Sequence, residues 1–144
     1  MHPIQHAQAR PDHPAVIMVG SGKTMSFGEM DEQANRFAQL LRANGFAPND
    51  SFAVLLENRI EFYTLIWGSQ RAGTMLVPIS TRLTAPEIAY ILKDSEAKLL
   101  ITSRAFDNVL PGIRAEHPEL PVLIMDGDGE EDFASAMASQ PSEP

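Results

Sequence analysis

An α/β fold with a mainly parallel sheet, helices on both faces and a β-hairpin at the margin is predicted by three observations. Short apolar runs alternate with amphipathic stretches of helical length from Phe27 to Met125, the pattern of right-handed β-α-β crossovers. The run Ser51-Phe52-Ala53-Val54-Leu55-Leu56 is apolar at consecutive rather than alternate positions, as a strand covered on both faces requires. Three helices share one start signal, Ser26 with Glu29, Asn58 with Glu61 and Thr84 with Glu87. In each, a capping side chain is followed three residues on by a carboxylate able to reach back to the cap's N–H.

The elements follow in order. His2 to Pro14 holds three prolines and three histidines on a polar background and is expected to lie as an extended arm, Pro3 and Pro11 arguing against a helix. The stretch Val16 to Phe27, VIMVGSGKTMSF, poses a choice between a strand feeding a phosphate-binding loop and a hairpin. A phosphate loop of the form G-x-x-x-x-G-K-[ST] needs its first glycine at position 17, where Ile17 stands, and a helix directly after the Lys-Thr pair. Both conditions fail. Gly20-Ser21-Gly22-Lys23 is therefore read as a turn joining two strands, with Lys23 an ordinary turn residue.

Met30, Ala34, Phe37, Ala38, Leu40 and Leu41 recur at helical spacing within 27–44, and Gly45 supplies the stop. After the strand at Ser51, a helix over 59–72 is expected to bury Ile60, Tyr63, Leu65, Ile66 and Trp67 against the sheet and to end at Gly73. Met75 to Ile79 is a strand broken by Pro78, and Thr84 opens a helix with Pro86 in its first turn and Ile88, Ile91 and Leu92 inward. Strands are expected at 97–102 and 121–125. Between them lies a weaker helix over 104–116, interrupted near Pro111-Gly112, and a short helix is expected over 132–138. The domain plan is thus an arm at 1–14, an α/β core at 15–126 and an acidic, polar tail at 127–144.

Composition narrows the function. The 144 residues are 44% hydrophobic with a formal charge of −8, enough for one cored domain and contrary to nucleic acid or anionic membrane as partner. There is no cysteine, which removes disulfides and thiolate chemistry. No apolar run reaches the length of a membrane span and the first residues lack a signal-peptide core, so a cytoplasmic protein is expected.

Candidate chemical groups are few. His2, His6 and His13 have no accompanying carboxylate cluster and are not read as a metal site. His117 is read as a solvated loop residue, and Arg82 as a structural ion pair or loop clasp before an anion contact. The acids of Asp126-Gly127-Asp128-Gly129-Glu130-Glu131-Asp132 do not follow the EF-hand order and suggest weak cation binding at most. No nucleophile elbow, zinc-binding helix or G-x-G-x-x-G turn occurs. No catalytic, cofactor-binding or metal residue is assigned.

The order of short motifs nonetheless carries a resemblance. Ser26-Phe27-Gly28-Glu29-Met30, Asn35-Arg36, Gly45 before Pro48-Asn49-Asp50, Leu56-Glu57-Asn58 with Glu61-Phe62 come first. Ala72-Gly73, Val77-Pro78-Ile79, Arg82-Leu83-Thr84 with Glu87, Tyr90-Ile91-Leu92, Asp94-Ser95 and Ala97-Lys98 follow. Together they resemble the N-terminal part of adenylate-forming enzymes, specifically AMP-dependent acyl-CoA synthetases, and the stretch from Arg82 looks more like fatty or aromatic acyl-CoA synthetases than peptide-synthetase modules. The resemblance implies a partial N-terminal domain of the adenylate-forming fold. It also implies a parent enzyme that uses ATP and Mg to convert a carboxylic acid to an acyl-adenylate, releasing pyrophosphate, and then transfers the acyl group to CoA. The family's phosphate loop would fall after Gln140-Pro141-Ser142-Glu143-Pro144, and its C-terminal domain further on. The chain is accordingly expected to be a truncated piece, inactive alone, whose partner is the remainder of the synthetase. A non-enzymatic interaction or homo-oligomerisation module, with an unpaired sheet edge as its contact, is the alternative, and a freestanding nucleotide binder a third.

Overall fold

The computed structural model describes residues 2–144. Four parallel strands form the central sheet in the order β4-β3-β5-β6: β3 (Ser51–Leu55), β4 (Met75–Pro78), β5 (Leu100–Ser103) and β6 (Val122–Met125). Successive side chains of a strand point to opposite faces, and the core divides accordingly. Phe52, Val54, Leu99, Ile101 and Met125 pack toward α2 (Phe27–Ala43), α3 (Glu61–Ala72) and α6 (Phe133–Ala138). Ala53, Leu55, Leu100, Val122 and Ile124 pack toward α4 (Ala85–Asp94) and α5 (Leu110–Glu116). Every residue of β3 and β5 is buried, which is why Phe52 to Leu55 run apolar without alternation, whereas β5 ends in the buried polar pair Thr102 and Ser103.

The hairpin of β1 (Pro14–Ile17) and β2 (Thr24–Ser26) is antiparallel and separate from the main sheet. It forms a minor core of Val16, Met25 and Met30, against which Ile60 and Trp67 pack. The N–H of Met18 donates to the Lys23 carbonyl and that of Gly22 to the Met18 carbonyl, each at 2.8 Å. These bonds turn the loop's polar groups inward to close the hairpin, and β2 rather than a helix follows Lys23, so the phosphate-loop geometry is absent from this stretch.

Helix starts follow two of the three expected signals. Ser26 Oγ accepts from the Glu29 N–H at 3.1 Å and the Glu29 carboxylate accepts from the Ser26 N–H at 2.8 Å. At α4 the Glu87 carboxylate accepts from both the N–H and the hydroxyl of Thr84, at 2.8 and 2.7 Å. Asn58 does not cap α3. That helix starts at Glu61 behind a helical Ile60 with no side-chain cap, because the Glu61 carboxylate is taken by Arg59 instead. Its stop is as expected: Gly73 has φ 72°, a left-handed conformation that costs glycine little.

α3 buries a narrower stripe than its hydrophobic pattern implies. Leu65 is fully buried with Thr64, Gly68 and Ser69, whereas Tyr63 is 42% exposed and Ile60 and Trp67 face the hairpin, not the sheet. Small residues on this stripe let α3 lie close against α2. A Cβ at Gly68 would stand 2.7 Å from Phe37 Cδ1 and 2.9 Å from the Ala34 carbonyl oxygen.

Two further differences have local causes. The arm at 1–14 is not extended, since Pro3–Ala9 form α1. Pro3 occupies the first turn, where no N–H is missed, His2 Nδ1 accepts from the Ile4 N–H at 3.3 Å, and Pro11 lies just beyond the C-cap Arg10. In 104–116 the expected single weak helix is divided: a 3-10 turn, Arg104–Phe106, precedes α5, and Pro111 sits in the first turn of α5 instead of interrupting a longer helix. No helix among the described residues is long and apolar enough to cross a membrane.

Candidate functional site

The carboxyl ends of all four strands meet at one edge of the sheet, and the chain leaves β3 toward β4 on one side and reaches β5 on the other. That divergence is a topological switch point, where open α/β sheets place their ligands. Glu57 and Arg59 follow β3, Ser103 ends β5, and Asp126 follows β6.

Arg59 organises these groups. Its Nη1 donates to Asp126 Oδ2 at 2.7 Å and to Glu57 Oε1 at 3.2 Å, while Nε and Nη2 each donate to the Glu61 carboxylate at 3.2 Å. Ser103 Oγ completes the set by donating to Glu57 Oε2. The guanidinium thus spends its Nε–Nη2 fork on Glu61 and its Nη1 donors on Glu57 and on the turn after β6. Asp126 reaches it from a left-handed backbone, φ 58°, in a turn where a Cβ on Gly127 would meet the Ile124 carbonyl oxygen at 2.8 Å.

The electrostatics follow from this pairing. The hydrogen bond from Arg59 holds the Asp126 carboxyl below its ordinary range. Burial pushes Glu61 up, but the hydrogen bond from Arg59, a backbone N–H and the fields of Arg59 and Lys23 together bring it below its ordinary value. Asp126, followed by Glu61, raises Arg59 beyond its already high range. With Asp126 70% exposed and Arg59 15% exposed, water screens the first of these pairs, which is worth about 0–1 kcal/mol. Its effect is to tie the β3–α3 turn to the β6–α6 turn.

Two clefts border the network. One of about 450 Å³ runs between α2, α6 and Arg59, lined by Gln33, Arg36, Glu61, Phe133 and Met137 among others. A smaller one of about 290 Å³ is closed by the hairpin, with Ser21 and Lys23 opposite Asn58, Arg59 and Asp126. Lys23 lines this cleft from the hairpin turn and forms no ion pair among the described residues.

Other candidates from the sequence are dispersed. The acids from Asp126 to Asp132 do not converge: Asp128 pairs with Arg104, Glu131 with Arg114 at 2.6 Å, and Asp132 caps α6 through the Ser135 N–H at 2.9 Å. Among the described residues no group of three or more His, Cys, Asp or Glu is placed to hold a metal ion. His117 is not a free loop residue, for its Nε2 donates to the Ala89 carbonyl at 2.8 Å and fastens α5 to α4. Arg82 is exposed and has no ion pair among the described residues, so the clasp expected of it is not formed. Sequence reasoning assigned no role to Arg59 or Ser103, whose signal is only that polar residues stand at the carboxyl ends of buried strands.

Fold and edge together define an open, doubly wound α/β layer with the Arg59 network at its switch point. Residues 4–144 match the AMP-binding enzyme family, and the chain belongs to it. It is 35% identical over 142 residues to a long-chain-fatty-acid–CoA ligase of Mycobacterium tuberculosis, covering 96% of this chain and 28% of that protein. It is 38% identical over 119 residues to a fatty acid–[acyl-carrier-protein] ligase of Streptomyces coeruleorubidus, covering 83% and 22%. The structure of a Mycobacterium tuberculosis fatty acyl-CoA synthetase superposes with a TM-score of 0.85 at 32% identity, over 98% of this chain and 28% of that one. The chain therefore corresponds to the N-terminal portion of adenylate-forming acyl-CoA ligases and spans 22–28% of the length of these curated relatives.

Proposed function

We propose that this chain is the N-terminal α/β layer of an ATP-dependent acid–CoA ligase whose carboxylic acid is fatty or aromatic, and that the 144 residues alone do not form an acyl-adenylate. Support for the first part comes from relatives that include fatty-acid ligases and a 4-hydroxybenzoate/benzoate–CoA ligase of Rhodopseudomonas palustris at 30% identity. In the whole enzyme a carboxylate oxygen of the acid would displace pyrophosphate from ATP, and the CoA thiol would then displace AMP.

The second part rests chiefly on one observation. Arg59, the most heavily bonded cation at the switch point, is already committed to three carboxylates. Adenylation requires preorganised donors, with a metal, aimed at the charge developing on the transferred phosphoryl group. The Glu57, Glu61 and Asp126 carboxylates converge on Arg59 rather than on an open position. The residues present do not fit Mg-ATP by themselves, and the groups that hold ATP, Mg and CoA are assigned to the remainder of the synthetase. Calorimetry of this chain with ATP and Mg checks the assignment: no micromolar binding is expected, and such binding would revive a freestanding nucleotide binder.

A second reading is favoured by the sheet edge. Among the described residues β4 pairs only with β3, and Met75 on it is 54% exposed, so an interaction or homo-oligomerisation module is the alternative. Light scattering that shows a strict monomer at high concentration would remove it.

A further inference from the structure

Asn44 is the only asparagine of the chain that a glycine follows, and the pair stands where α2 ends. Asn44 is the C-cap, with φ −90° and ψ 15°, and Gly45 takes a left-handed φ of 78°. The Gly45 N–H donates to the Arg42 carbonyl at 3.0 Å and the Phe46 N–H to the Leu41 carbonyl at 3.1 Å, the paired bonds that close a helix through a left-handed glycine. Phe46 packs on the core that contains Leu40 and Leu41 and holds the turn down. The Asn44 side chain folds back over the same end, its Nδ2 donating to the Leu40 carbonyl at 2.8 Å.

Asparagine before glycine carries its own chemistry. The backbone nitrogen of the glycine, on losing its proton to hydroxide, attacks the asparagine side-chain carbonyl carbon. A bond from that nitrogen to Cγ forms, the Cγ–Nδ2 bond breaks, and Nδ2 takes a proton from water and leaves as ammonia. Water then opens the cyclic imide at either carbonyl, giving aspartate or isoaspartate. No side chain on glycine shields the attacking nitrogen. The reaction needs that nitrogen beside Cγ in a near-attack geometry, and the fold withholds it. At ψ 15° the Gly45 nitrogen lies on the side of Asn44's own nitrogen, turned from its side chain. Its N–H is bound to the Arg42 carbonyl, and Nδ2 is drawn back to Leu40.

We infer that Asn44-Gly45 is a deamidation site locked by the closed end of α2, which reacts when that end opens locally. Asn44 and Gly45 are both exposed, so water and hydroxide reach them with the sheet intact, and a helix end opens at lower cost than the whole domain. Either product replaces an amide donor with a carboxylate. A carboxylate has no hydrogen to give the Leu40 carbonyl and meets the negative end of the helix. Arg42, the basic residue of that last turn, has its guanidinium on the Arg71 carbonyl. Isoaspartate also lengthens the main chain by a methylene ahead of Gly45, which puts the Gly45 and Phe46 bonds out of register. Ammonia is lost, so the step is one-way, and each conversion leaves the end of α2 more open than before.

Tandem mass spectrometry of the tryptic peptide from Ala43 to Arg59 follows the mass gain at Asn44 in the full 144-residue chain, held in mildly alkaline buffer. Conversion in the native chain should be slower, by about tenfold or more, than in the same chain unfolded in urea, because the cap bonds must first break. Below the urea range of global unfolding the rate should stay level, since opening one helix end exposes little surface. Phe46→Ala keeps the Asn-Gly pair but frees the turn, and should speed conversion while the far-UV spectrum stays native. Asn44→Asp, which copies one product, should leave the Gly45 and Phe46 amides exchanging faster with those of β3 unchanged, a readout that does not depend on Phe46→Ala folding. Conversion as fast in the native chain as in urea, a rate that climbs from the first addition of urea, or unchanged exchange in Asn44→Asp would overturn the inference.

Discussion

Arg71 of α3 reaches back to α2 and binds Asp31 twice, Nη2 donating to Oδ1 at 2.5 Å and Nη1 to the Asp31 carbonyl at 2.8 Å, with Asn35 Oδ1 accepting from the same Nη1. Arg42 Nη2 in turn donates to the Arg71 carbonyl. The pair is only 13% and 25% exposed, so removing the cation strands a carboxylate and the buried Asn35. Arg71→Met is expected to lower unfolding free energy by about 2–3 kcal/mol, read from urea melts, and Arg71→Lys to recover only part of it because a single ammonium cannot reproduce the fork.

The same two helices pack tightly at Gly68. Alanine would gain about 1 kcal/mol of helix propensity there. Its Cβ, however, meets the Ala34 carbonyl oxygen at 2.9 Å as well as Phe37, and backbone cannot rotate aside as a side chain can. Overpacking of about 1–3 kcal/mol prevails, so Gly68→Ala should be destabilising in the same melts, and Gly68→Val more so.

Ser26 and Thr84 share the bond from the cap N–H to the glutamate three residues on. Ser26 Oγ, however, accepts from the Glu29 N–H whereas the Thr84 hydroxyl donates to the Glu87 carboxylate, and alanine should separate them. Ser26→Ala strips the acceptor for the Glu29 N–H and should cost about 1 kcal/mol. Thr84→Ala leaves the Glu87 carboxylate on the Thr84 backbone N–H and should cost less. Thermal melts of the two variants side by side check the order.

Acid should unfold the chain through its paired carboxylates. Asp50, beside Lys98 at 2.7 Å, and Asp126, Glu61 and Glu131 on their arginines all lie below their ordinary values. Groups depressed in the folded state contribute stability above the unfolded carboxylate range, near about pH 4, and lose it as pH falls through their folded values. Stability should thus be flat down to about pH 5 and decline below about pH 4. Arg59→Gln should move the acid midpoint upward, because Asp126 and Glu61 lose the partner that holds them down. Lys23→Ala, which removes only an unbonded field, should leave stability within about 0.5 kcal/mol of wild type.

Local signals were readable where local partners decide. Consecutive apolar residues at Ser51 to Leu56 marked a strand covered on both faces, and the Ser26–Glu29 and Thr84–Glu87 pairs marked helix starts, because each bond spans three residues. Asn58 with Glu61 carries the same spacing, yet Glu61 turns to Arg59, whose own position is fixed by Asp126, 67 residues away. That competition is tertiary and leaves no local trace. The arm departs from its expected extended form for another reason: Pro11 forbids a helix through it, but Pro3 fits the first turn of one that starts there and ends before Pro11. At the switch point the resemblance indicated the family, while the network of Arg59, Ser103 and Asp126 required the strand order, which juxtaposes residues from three separate turns.

As proposed, this layer scaffolds a ligase without itself performing adenylation. Acid-dependent exchange of labelled pyrophosphate into ATP measures that step directly. With the isolated 144-residue chain, Mg and a panel of fatty and aromatic acids, the expected result is exchange at the no-enzyme background. Acid-dependent exchange above that background, from a chain shown free of full-length synthetase, would contradict it.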